Sequence, residues 1–466
     1  MPYDVVIIGS GPGGYVTAVR AAQLGLKTAI VEKDTRLGGT CLLRGCIPTK
    51  SMLHSAELAD HARHADTFGV KLGEVSIDIA QVLRQKDKVV QANAGGVAFL
   101  MKKNKVDVHS GFGSIAGPNK VKVKAADGTE TVLETRYAIL ATGSAPRVLP
   151  GIEIGGPVLT SDELLDLPEL PRHLIVLGAG AVGVEFASVY KSFGCDVTVV
   201  ELADRLVPVE DAEISKELEK VFRRRGINVH TSTKMVGIEK IDGGVRARLE
   251  PASGEGKAQS VSGSHLLVAV GRRPVTEGLN LDGTGVVLDR GFVKADGFGR
   301  TGSPWIYAIG DIVAGMPQLA HAAMAEGVVA VEHIAGHPTV PVERDHIPGC
   351  TYSSPEVGSV GLTEAEAIKR GYDVQIGRFP FSAIGKAKVV GDTTGFLKLV
   401  AEKKYGQILG VHIIGPRATD LIAEALPIVK LEYTLEELTR TVHAHPTLSE
   451  IFHEAAHAAT GHALHM

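Results

Sequence analysis

A chain of 466 residues, 44% of them hydrophobic and 22% charged, has room for roughly two to four globular domains, and its formal net charge of −4 gives no electrostatic reason to bind nucleic acid. No apolar run reaches the ~18 residues of a membrane span without a charge or a glycine cluster, and MPYDVVIIGSG has no basic region of the kind that opens a leader peptide, so a cytoplasmic protein is expected. Cysteine is sparse, with four residues, whereas the 55 glycines point to tight turns and close backbone approaches to ligands.

The first predicted element is DVVIIGSGPGGYVTAVRAAQLGLKTAIVEKD at 4–34: a strand, a glycine turn, a helix, and a second strand ending in an acid. Gly9, Gly11 and Gly14 have the GxGxxG spacing of a dinucleotide turn. The first permits the bend, the second lets the backbone approach a pyrophosphate, and the third lets helix and strand pack closely, with the phosphates at a helix amino terminus. Glu32 follows at the strand end, where a carboxylate can accept hydrogen bonds from ribose hydroxyls.

GGTCLLRGCIPTK at 38–50 comes next and places Cys41 and Cys46 five positions apart. On one regular helix they would face different ways and lie too far apart for a relaxed disulfide, so bonding demands a distorted turn, for which Gly45 supplies freedom and Pro48 a bend. A zinc site would need two further ligands, with only His54 near; inert buried thiols and a structural bridge are the other readings, the bridge disfavoured in a reducing compartment. Two dinucleotide units in the same chain favour a redox pair. Arg44, between the thiols, either lowers a thiol pKa or faces solvent.

YAILATGSAPRVLPG at 137–151 predicts a strand entering the turn Thr142-Gly143-Ser144, and the proline- and acid-rich 151–171 reads as a connection. HLIVLGAGAVGVEFASVYKSFGCDVTVVELAD at 173–204 then repeats the first unit: Gly178, Gly180, Gly183 and Glu201 recur at a constant offset of 169 from Gly9, Gly11, Gly14 and Glu32. Glu201 would repel a 2′-phosphate, so this second site is expected to prefer NAD over NADP. HLLVAVGRRPVT ends on a turn after Gly271, and WIYAIGDI is a strand closed by Gly310-Asp311. A tract at 334–350 interrupts the pattern before an alternating, strand-like region at 372–415, and from Ala418 the chain reads as helices separated by a loop at 443–448. HEAAH at 453–457 matches the HExxH zinc pattern, but Gly461 and His462 fall out of register with its extended form, and no metal is expected.

The ordered set of two GxGxxG units, GGTCLLRGCIPTK, ATG, GRRP, AIGD and HAHPTLSE resembles the pyridine nucleotide-disulfide oxidoreductase family over nearly the whole chain. The resemblance implies an α/β protein with two Rossmann-like dinucleotide-binding domains, for FAD and NAD, and an α+β carboxyl-terminal dimerisation domain. By position the FAD-binding domain would occupy 1–150 with a second part at 272–345, the NAD-binding domain 151–271, and the interface domain 346–466. Within the family the chain is most similar to members that oxidise protein-bound dihydrolipoamide with NAD in 2-oxo acid dehydrogenase complexes. The implied partners are a second copy of the chain, the lipoyl domain of the acyltransferase, and that subunit's binding domain.

The resemblance also implies roles. Cys41 would meet the dithiol and Cys46 the flavin as a redox disulfide; Lys50 would lie near the flavin, paired with Glu185. Glu32, Gly113, Thr142 to Ser144, Asp311, Leu319, Ala320 and His321 would hold FAD, and Glu201 and Gly271 would contact NAD. His445 would be the base, oriented by Glu450, both serving the other subunit. Leu43-Arg44 departs from the family's usual Asn-Val, 316–327 carries less charge than usual, and the tail is richer in histidine. A related disulfide reductase and a non-catalytic flavin-bound sensor are the alternatives.

Overall fold

The computed structural model describes residues 2–465. They form two compact units, one of residues 2–52, 78–147 and 272–344, the other of residues 53–77, 148–271 and 345–465.

In the first unit, β1 (Tyr3–Ile8), α1 (Pro12–Gln23) and β2 (Thr28–Glu32) make the first predicted element. Both strands are apolar and mostly buried, as strands covered on two faces must be. Parallel strands stack in the order Asp107–Ser110, β2, β1, Glu130–Leu140, with Ile306–Ala308 also pairing with Glu130–Leu140. The long strand Glu130–Leu140 serves two arrangements, since its amino-terminal half pairs antiparallel with Lys120–Lys124.

The second unit repeats this pattern. His173–Leu177 pairs parallel with Asp196–Val200, and the register Val5↔Thr28 of the first sheet recurs as Leu174↔Val197, again at the offset of 169. The segment 151–171 is more than a connection, because Val158–Leu159 joins this sheet beside His265–Val268 and Ser161–Leu164 forms a helical turn with a Thr160–Glu163 capping box. After residue 345 a five-stranded antiparallel sheet carries the helices Ala418–Lys430, Leu435–Arg440 and Glu450–Ala459. The strand-like 372–415 is three strands interrupted by the short helix Gly385–Val390. Two glycines let helices lie directly on the sheet: a Cβ at Gly377 would stand 2.1 Å from the Ala455 carbonyl oxygen, and one at Gly358 2.5 Å from that of Ala418. Among the described residues, no helix is long and apolar enough to cross a membrane.

Candidate active site

The two glycine turns divide their labour identically. Gly9 and Gly178 have positive φ, and a Cβ on either would stand 2.3 or 2.4 Å from the carbonyl oxygen of Ala141 or Ala269. At Gly14 and Gly183 the added atom would be 1.9 Å from the carbonyl oxygen of the first glycine, so only glycine lets the helix sit this close. The middle glycines differ. Around Gly11 the nearest atom to such a Cβ is 4.0 Å away, and around Gly180 nothing lies within 4 Å. Open space beside a helix amino terminus is what a pyrophosphate requires, so both turns fit a dinucleotide.

The acids follow the same plan. Glu32 accepts from the Ser10 amide at 2.9 Å and the Asp34 amide at 2.8 Å; Glu201 accepts from the Ala179 amide at 2.6 Å and the Ala203 amide at 2.7 Å. Each carboxylate is aimed by backbone and keeps lone pairs for a ribose. Glu32 also takes the Ser10 hydroxyl at 2.5 Å, a contact that Ala179 cannot reproduce.

Ser10 then anchors the cysteine segment. Its carbonyl and hydroxyl oxygens accept from the Gly38 amide, and Gly39 approaches Gly11 so closely that a Cβ there would be 2.5 Å from the Gly11 Cα. The helix α2 (Gly39–Arg44) therefore starts against the glycine turn. It stops at Gly45, whose φ of −143° and ψ of −110° are not helical, and α3 (Cys46–Arg63) begins at once. This break is the distorted turn that the spacing demanded, and it brings the Cys41 and Cys46 thiols into hydrogen-bond contact. That bond, followed by burial, pushes the Cys41 thiol well above its usual range, against an opposing pull from the Lys50 ammonium. Arg44 turns away to pair with Asp34, so the charge between the thiols is already partnered.

Around the same turn, Thr142 donates to the Val275 carbonyl at 2.6 Å, and the Ser144 hydroxyl donates to Asp311 at 2.5 Å. Arg272 clamps Ser144 with two bonds, to its hydroxyl at 2.7 Å and its carbonyl at 2.8 Å. Sequence reasoning took only Gly271 from GRRP and missed this arginine. It also missed Glu326, which accepts from the Gly310 amide at 2.5 Å while its other oxygen is buried without a partner among the described residues. Burial, with the Asp311 charge adding, pushes this carboxyl up to about 7. Leu319 caps the helix Ala320–Ile334, with His321 exposed in its first turn. Gly13 faces Ala323 and Gly327 faces Thr17, so this helix runs beside α1 in the same direction and both amino termini meet at one end. Gly113 packs beneath the strand ends, where a Cβ would be 2.8 Å from Ile8.

In the second unit, the buried Glu185 accepts from the Tyr352 amide at 2.9 Å, and Gly271 has positive φ with nothing within 4 Å of its added Cβ. His445 lies in the loop before the helix Glu450–Ala459, is 76% exposed, and places Nδ1 2.8 Å from Glu450. In HEAAH the rings of His453 and His457 stand 4.5 Å apart, and Glu454 is held by His465 at 2.7 Å. Two residues before His445, the largely covered His443 side chain meets Glu424 at 2.5 Å; the first histidine of HAHPTLSE was the signal for it.

Residues 3–327 match the family model described as pyridine nucleotide-disulphide oxidoreductase, and residues 347–456 match the dimerisation domain of the same description. The chain is 48% identical to the dihydrolipoyl dehydrogenase of Bacillus subtilis, covering 99% of each chain. It is 42% identical to the mitochondrial dihydrolipoyl dehydrogenase of Pisum sativum, covering 99% of this chain and 92% of the relative. The solved structure of LpdA from Mycobacterium tuberculosis superposes with a TM-score of 0.90 at 29% identity, covering 97% of this chain and 99% of that one.

Proposed function

Because the chain belongs to the pyridine nucleotide-disulphide oxidoreductase family, we propose that it oxidises dihydrolipoyl groups to the cyclic disulfide and reduces NAD, as a homodimer with FAD. The observation that carries the reading is the Cys41–Cys46 contact, made by the Gly45 break in a segment anchored on the first glycine turn. Its full-length relatives named for the same activity support it. When bound, FAD links the sulfur chemistry to the nicotinamide by accepting two electrons from the dithiol pair and delivering them as hydride to NAD.

The residues divide the rest of the work. In the oxidised form a substrate thiolate attacks the Cys41 sulfur, the Cys41–Cys46 bond breaks, and Cys46 leaves as a thiolate. His445 takes the proton of the second substrate thiol, which then attacks the substrate sulfur joined to Cys41, releasing the cyclic disulfide and the Cys41 thiolate. Glu450 orients that imidazole, and in this reading the pair serves the cysteines of the other subunit. Cys41 becomes the protonated member of the reduced pair and leaves the negative charge on Cys46, beside Lys50. Glu32, Gly113, Thr142, Gly143, Ser144, Asp311, Leu319, Ala320 and His321 hold FAD; Glu201 and Gly271 face NAD. The lipoyl domain of a 2-oxo acid dehydrogenase acyltransferase is the macromolecular substrate, its subunit-binding domain the docking partner, and the cytoplasm the compartment.

The test is an assay of NADH formation from dihydrolipoamide, set against NADH or NADPH consumption with oxidised glutathione and other disulfides. Dihydrolipoamide with NAD should be fastest. Preference for another disulfide would assign the chain to a reductase, and no turnover with any dithiol would make it a sensor.

A further inference from the structure

Residues 441–446 are exposed apart from His443, whose side chain is 8% accessible while its neighbour Val442 is 94% exposed. His443 is the inward anchor of this stretch. Its Nε2 meets Glu424 at 2.5 Å and its Nδ1 lies 3.2 Å from the Thr441 carbonyl. Thr441, Thr447 and His445 bond within the loop and its flanking helices, whereas the His443 bond crosses to the helix Ala418–Lys430. That helix is itself seated on the sheet, where Gly358 admits the Ala418 carbonyl, as Gly377 admits the helix that carries Glu450. The loop that presents His445 is therefore fastened at two imidazole–carboxylate pairs on two sheet-bound helices.

We propose that His443 and Glu424 are positioning residues for His445: their bond holds the loop so that the exposed imidazole is presented at a fixed place for proton transfer. The proposal rests on His445 being the base, and it concerns the dithiol half of the reaction alone. A base displaced by about 1 Å loses much of its effect on rate, while groups that meet the nicotinamide are untouched.

The test uses flavin-loaded protein and separates the two halves: anaerobic reduction of the bound flavin by dihydrolipoamide, and NADH-driven reduction of ferricyanide. Glu424→Ala and His443→Ala should slow the first at least ~10-fold and leave the second within about twofold of the unsubstituted protein. Glu424→Gln keeps the shape and an acceptor, and should show a smaller loss in the same half. Because the pair acts through His445, Glu424→Ala combined with His445→Gln should be no slower than His445→Gln alone. Equal losses in both halves, no loss in either, or multiplied losses in the double variant would overturn the proposal while leaving His445 as the base. A normal dithiol half in His445→Gln would overturn the reading beneath it as well.

Discussion

Nδ1 of His445 lies 2.8 Å from Oε1 of Glu450, and the other oxygen of that carboxylate accepts from the Thr447 amide at 2.9 Å. Burial alone would push the Glu450 carboxyl up, but the Thr447 amide and the His445 ring together hold it below its usual range. An ionised carboxylate can only accept, so Nδ1 carries the proton and Nε2 is left as the basic atom.

Glu450→Gln should therefore lower kcat with dihydrolipoamide by ~10–100-fold, and His445→Gln by ~10²–10⁴-fold, with little change in KM for NAD. Steady-state kinetics check both. Equal activity in all three proteins would remove His445 from the mechanism.

The two cysteines should be separable by absorbance. In the proposed division of roles Cys46 is the thiolate of the reduced pair, facing the flavin, and Cys41 carries the proton. In flavin-loaded protein Cys41→Ser should keep a long-wavelength thiolate–flavin band, and Cys46→Ser should lose it. The opposite pattern would exchange their roles.

Alanine at Gly14 or Gly183 would press its Cβ to 1.9 Å from a carbonyl oxygen, an overlap that forces helix and strand apart at a cost of about 1–3 kcal/mol or more. Gly14→Ala should be purified with depleted flavin. Gly183→Ala should keep its flavin and show a raised KM for NAD. The bound-flavin ratio and the KM are the readouts, and a yellow, fully active Gly14→Ala protein would contradict the assignment of the first turn.

Glu201 is aimed by the Ala179 and Ala203 amides. A fixed carboxylate at that place repels a 2′-phosphate, so NADH formation should exceed NADPH formation by ~10²-fold or more, a gap of about 3 kcal/mol. Glu201→Gln should narrow it. Equal rates with both cofactors in the unsubstituted protein would refute the role.

In the second unit, Lys398 is buried among Asp211 at 3.0 Å, Glu213 at 2.7 Å and Glu364 at 2.6 Å. Burial would raise the Asp211 and Glu213 carboxyls, but Lys398, with Arg378 at Glu213, holds both below their usual range; the same carboxylates raise Lys398 against its own burial. Lowered carboxyl pKa values give stability that is present above their unfolded values and fades as pH falls through the folded ones. The raised lysine pKa gives stability that is complete below its unfolded value and fades above it. Lys398→Met should thus cost about 3–5 kcal/mol between about pH 5 and pH 10, with the difference from the unsubstituted protein shrinking below about pH 4 as the carboxylates are protonated. Thermal melts across pH measure it; a pH-independent difference would mean that lost packing dominates.

Much of the site was legible because its constraints are local. A positive φ, a helix that must touch a strand, and a carboxylate at a strand end are demanded by neighbours within one βαβ unit, so the residue types recur wherever the unit recurs. The offset of 169 seen in the letters returns in the strand register and in the hydrogen bonds of Glu32 and Glu201. The strand Val158–Leu159 was hidden in a proline-rich stretch because two residues carry no period. Arg272, Glu326 and Glu424 were missed for another reason: their partners lie 128, 16 and 19 positions away, and nothing in the letters marks those pairings.

What the amino-acid sequence determined alone was the repeated nucleotide turn, the order of the motifs, and the need for a distorted bend between Cys41 and Cys46. Only the tertiary structure decided how that bend is made, where Arg44 points, and which side chains brace the turns. Spacing limits which contacts a chain can form, but a burial or a long-range hydrogen bond depends on what the rest of the fold brings to the same place.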